Sequence, residues 1–117
     1  MITFYKELLE RLKTGSIKNV LLFGNSTGKL PQPYAVVKPI ASGDQKVLQV
    51  IAHTALGMHQ FLEAYIFREL PELLKKPLES GGKYLRVMDR RSWYGPYVDE
   101  GDDTLAMSRD FYVPVVL

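Results

Sequence analysis

At 117 residues the chain fits one domain with a single core, 1–117. Its 46% hydrophobic and 24% charged residues are those of a globular fold, which excludes disordered, collagen-like and low-complexity classes. A net charge of +2, with basic residues scattered among acidic ones, argues against a dedicated nucleic-acid binder, and the absence of cysteine removes disulfides and thiolate metal sites.

Residues 2–13 place Tyr5, Leu8, Leu9 and Leu12 on one face and charged side chains on the other, the spacing of an amphipathic helix that stops at Thr14-Gly15. The charges in these first turns are unlike a signal peptide, and no apolar stretch reaches the length of a membrane span, so a soluble chain is expected. Strands are predicted at 17–24, 34–40 and 46–54. Pro39 sets the far end of the second at a sheet edge or bulge. In the third, Val47, Gln49 and Ile51 share one face and Leu48, Val50 and Ala52 the other. A central helix starts near Met58, with Phe61, Leu62, Tyr65, Ile66 and Leu70 as its stripe; Pro71 kinks or ends it, with 71–76 as a second short turn that has Pro71 at its first position. A strand is predicted at 83–90, a long polar and aromatic connection at 91–105, and a terminal strand at 107–117. The order predicts an α+β fold: an antiparallel β-sheet of four to five strands with an N-terminal helix and a central helix packed on one face.

The stretch "LLFGNSTGKLP" (21–31) invites comparison with a phosphate-binding loop and fails each requirement. Three residues, not four, separate Gly24 from Gly28; Leu30 follows Lys29 where Ser or Thr is needed; Pro31 and Pro33 forbid the helix that would hold the phosphates. His53 and His59 sit at a strand end and a helix start, close enough to meet across the intervening turn. Two imidazoles make a poor metal site, and neither Ser42 nor Asp44 is framed as an activated nucleophile or base. "DEGDD" (99–103) lacks the ligand spacing of a calcium loop. With "DRR" (89–91) it gives the long connection an acidic tip (Asp99, Glu100, Asp102, Asp103) and a basic base (Arg90, Arg91) suited to pairing between neighbouring subunits. Trp93, Tyr94 and Tyr97 around Gly95-Pro96 are either the loop's own small core or anchors for a partner.

The phrases "FYKELLERLK", "LPQPYAVVKPI", "KVLQVIAHTA", "MHQFLEAYIFRELPELL" and "SRDFYVPVVL", in this order, resemble the tail terminator (tail completion, tail-to-head joining) proteins of long-tailed bacteriophages. The resemblance implies a virion structural protein of tail or neck, assembled in the host cytoplasm. Such a protein self-associates as a hexameric ring that caps the tube of major tail protein and offers a surface to the head–tail connector. It implies no enzymatic activity, no cofactor, no membrane and at most non-specific contact with DNA passing through the ring. Lys29 then belongs at a subunit contact or near the ring lumen. The alternatives are a neck adaptor, tail-tube or baseplate component and, from another class, a small enzyme or ligand-binding domain using His53 and His59.

Overall fold

A computed structural model of the chain describes residues 2–24, 30–42 and 45–113. Helix α1 (Ile2–Leu12) buries Phe4, Leu8 and Leu12 completely. This line of every fourth residue is flanked by the partly buried Tyr5 and Leu9, so the contact stripe is centred one residue earlier than the sequence periodicity suggests. Strand β1 (Asn19–Leu22) follows, then β2 (Tyr34–Ser42) and β3 (Gln45–Thr54). The central helical segment consists of α2 (His59–Ala64), a π-helical turn (Tyr65–Glu69) and α3 (Leu70–Leu73). A small hairpin of β4 (Leu78–Ser80) and β5 (Lys83–Leu85) leads into β6 (Met88–Asp99) and β7 (Thr104–Val113).

The main sheet has five strands in the order β1-β2-β3-β7-β6. All neighbours are antiparallel except β1, which joins β2 in parallel. Partners directly opposite share a face, and the registers Val37↔Val50, Ala52↔Met107 and Leu48↔Phe111 align one apolar layer across three strands. That layer and the buried side of the helices (Leu62, Tyr65, Ile66, Leu70) form a single core with Phe4, Leu8 and Leu12. The helices therefore lie on one face, and the split of β3 into Val47/Gln49/Ile51 and Leu48/Val50/Ala52 holds. Pro39 is tolerated because β1 pairs with β2 only as far as Val37, leaving the outer edge of β2 open beyond it.

Two helix ends are tied to one another. Arg11, in the last turn of α1, donates from Nη1 to the carbonyls of Leu73 (3.1 Å) and Lys76 (2.9 Å) and from Nη2 to that of Pro77 (2.9 Å). A cation thereby satisfies carbonyls that the end of α3 and the turn after it leave without backbone donors. Close by, a Cβ on Gly15 would meet Glu69 Oε1 and Leu73 Cδ1 at 2.7 Å, so a larger residue there would displace the ends of these two side chains.

Two expectations are corrected. The segment 91–105 is not a long loop: most of it is the outer half of a β-hairpin, and only residues 100–103 turn between β6 and β7. Its polar, aromatic composition misleads because β6 is an edge strand, exposed along nearly its whole length, with register shifts between Asp89 and Ser92 and between Tyr94 and Tyr97. At the second shift Gly95 has φ 110°, and a Cβ there would lie 2.9 Å from the Ala106 carbonyl oxygen. The run 83–90 is not one strand either: β5 pairs with β4, and β6 starts afresh at Met88. The central segment continues past Pro71 as a short further turn, as its place at a first helical position allows; a widened turn precedes it, with the Leu70 N–H bonded back to the Tyr65 carbonyl.

Truncating Phe4, which is completely buried, removes a large part of the α1 contribution to the core. Phe4→Ala is expected to cost about 3–5 kcal/mol in urea unfolding; a loss below about 1 kcal/mol would mean that α1 is not part of the cooperative core.

Candidate functional site

The π turn creates a chemical vacancy that a distant residue fills. In its i→i−5 register the donor facing the Ile66 carbonyl would be residue 71, a proline without an N–H. Arg109 of β7 supplies the donor, its Nη1 lying 3.2 Å from the Ile66 oxygen. The same guanidinium forks onto Asp89 of β6, with Nε to Oδ1 at 3.0 Å and Nη2 to Oδ2 at 2.6 Å. Its Cζ lies 5.2 Å from the centre of the Trp93 ring, and Trp93 meets Phe67 edge-on at 5.1 Å. Arg109 is only 7% exposed, so its charge depends on this bidentate partner. Burial pushes the Asp89 carboxyl up, but hydrogen bonds from Arg109 and the Arg91 N–H, with the charges of both arginines, outweigh it and hold the group below the usual carboxylate range.

Around this anchor β6 presents Met88, Trp93, Tyr94 and Val98, each half or more exposed. Trp93 thus packs against Phe67 and Arg109 while half of it stays exposed. Tyr94 and Tyr97 lie together on the sheet face away from the helices, 5.1 Å between ring centres. Arg90 turns toward Asp110 (3.8 Å) and lies over the Tyr112 ring, whereas Arg91 sits in the first bulge at φ 55° with its side chain exposed. At the far end Asp99 accepts the Gly101 N–H (3.1 Å) and shapes the turn, and Asp102 accepts the Tyr34 hydroxyl. Glu100 and Asp103 remain exposed, Asp103 at φ 57°. The acidic tip and basic base are real, but they stand at opposite ends of a strand. Lys29 and Asp44 lie outside the described residues, as does the Ser42 side chain.

A second polar cluster lies where β2, β3 and β7 end. The His53 ring stacks on Tyr34 (4.5 Å, 10°); its Nδ1 is 2.9 Å from Thr104 Oγ1 and 4.0 Å from Asp99 Oδ2. Burial pushes the imidazole pKa down, more than the Asp99 carboxylate raises it. An open cleft of about 460 Å³ adjoins it, walled by Phe23, Val36 and Ile51. His53 and His59 do not meet: His53 points from the face opposite the helices, and His59 is exposed at the start of α2. Among the described residues no group of three or more His, Cys, Asp or Glu is placed to hold a metal ion, and no helix is long and apolar enough to cross a membrane.

Asp89, Arg109, Tyr34 and Thr104 complete these two clusters, and no motif singled them out. For Arg109 a signal existed: it shares strand parity with Leu105, Met107, Phe111 and Val113, so a charge stands on the buried face and demands a partner. No family model and no curated protein matches the chain. One solved structure, whose printed name states no function, superposes with a TM-score of 0.58 at 22% identity over 97% of this chain and 92% of its own. Likeness at that identity shows the fold alone.

Asp89→Ala should destabilise the protein by about 2–4 kcal/mol, because it strands the Arg109 charge in a nearly closed site. Arg90→Ala, which breaks an exposed pair, should change stability by less than about 1 kcal/mol. Equal losses in thermal melts would refute this ranking. The His53 shift has the opposite consequence from a salt-bridged histidine. Its folded pKa lies below the ordinary 6.5, so the unfolded chain binds the extra proton first. Stability is full above pH 6.5 and falls as pH drops from there toward the folded pKa. His53→Phe should flatten that slope in urea midpoints measured from pH 7.5 to 5; an unchanged slope would assign it to other groups.

Proposed function

We propose that this protein is a phage or prophage virion structural protein that closes into a ring, caps the tail tube to end its polymerisation, and helps join tail to head. Its partners are further copies of itself, probed first, then the major tail-tube protein and the head–tail connector. The observation that carries the proposal is β6: a twelve-residue edge strand with Met88, Trp93, Tyr94 and Val98 exposed along it. Aromatic side chains of this kind, held in fixed orientation, are what interface hot spots use. The double bulge and the charges at 89–91 and 99–103 blunt open-ended strand pairing, which favours a defined contact over a fibre. The order of sequence phrases shared with tail terminators supplies the particular role.

The cleft beside His53 favours a second reading, a ligand-binding domain, with His53 as a neutral acceptor or donor against Thr104 and Asp99. The two separate by assembly. Light scattering across a concentration series should show one closed oligomer, six subunits by the family resemblance, and electron micrographs should show rings bound at the ends of purified tail tubes. A monomer at all concentrations that ignores tube ends would sink the structural reading.

A further inference from the structure

Next to the start of β6 lies a cleft of about 710 Å³. Its apolar floor is offered by Phe67, Pro71 and Met88, with Leu74, Val87 and Phe111 nearly closed beneath them. Four cations line it: Arg68, Lys75, Arg86 and Arg91. Against them stand Glu72, which meets Lys75 at 3.9 Å in full solvent contact, and Asp89, whose charge Arg109 already holds. The cleft is therefore positive with a greasy base. The complementary surface is on the same chain: the β6–β7 turn exposes Glu100 and Asp103, with Val98 (54% exposed) beside them.

One molecule cannot bring the two together. The cleft adjoins the first residue of β6 and the turn follows its last, and the stretch of β7 paired with it, Thr104 to Tyr112, holds them roughly 27 Å apart. The strand is fixed along its length to β7, so neither end can fold back.

We infer that the turn 98–103 of one copy seats in the Arg68/Lys75/Arg86/Arg91 cleft of the next, Val98 against the apolar floor and Glu100 and Asp103 against the cations. The contact joins two different surfaces, so it is head-to-tail, and such a contact makes a ring when its rotation closes. The inference rests on the assembly reading above and names the surfaces that perform it. Because the charges are at the rim, assembly speeds up and tightens at low salt and weakens as salt is added.

The test uses two charge-reversed full-length proteins, Glu100→Lys/Asp103→Lys and Arg68→Glu/Arg91→Glu, with thermal melts to verify that each is folded. Light scattering should show each alone shifted toward monomer, its assembly midpoint raised at least about tenfold. A 1:1 mixture should recover rings of even subunit number, since reversed turns then meet reversed clefts and native turns native clefts. Wild-type rings with both variants still assembling normally would overturn this contact and leave the ring reading standing. A monomeric wild type would instead defeat the ring reading itself.

Discussion

The Arg109 guanidinium is the constraint on which the exposed half of this fold depends. One planar group is shared among a carboxylate of the edge strand, a carbonyl of the central helical segment and the face of the only tryptophan. Each of its attachments solves a local problem. Pro71 removes a donor, the π turn leaves Ile66 unpaired, and Arg109 replaces the missing N–H. Asp89 then becomes necessary, because a buried charge without a partner is far more costly than one held in a bidentate pair. Once Asp89 is fixed, the first bulge of β6 is fixed with it through the Arg91 N–H.

This chain of consequences explains how a strand with so little buried surface keeps one conformation. Among the described residues β6 has no neighbour on its outer side, and most of its side chains face solvent. Its order comes from β7, from the guanidinium under Trp93, and from the close backbone approach that Gly95 allows. Surfaces ordered before contact lose little conformational entropy on binding and so bind well for their area. The opposite charges at the two ends of β6 add direction to its surface.

The composition of β6 is also why part of the candidate site was hidden. Acidic, basic, aromatic, glycine and proline residues in succession read as a connection, because strand recognition relies on apolar alternation and an edge strand need not alternate. The residues from Arg90 to Asp103 lie on the edge strand and the turn of a hairpin, some exposed and Tyr97, Asp99 and Asp102 half-buried, and their backbone pairing was not legible in the sequence. The histidines show the converse. His53 and His59 are close in sequence, yet β3 and α2 send them to different sides of the sheet, and the partners of His53 come from residues 34, 99 and 104.

By itself the sequence determined the α+β class, the order of its principal elements, the faces of β3 and the stop near Thr14-Gly15, because each follows from local periodicity or backbone chemistry. It also carried the failure of the glycine-lysine stretch as a phosphate loop. Only the tertiary structure decided that 91–99 is a strand, that β1 runs parallel to β2, and that Pro71 is absorbed by a π turn. The physical reason is common to all three. Each depends on a hydrogen bond or register with a residue far away in the chain, and such pairings leave almost no trace in the residues next to them.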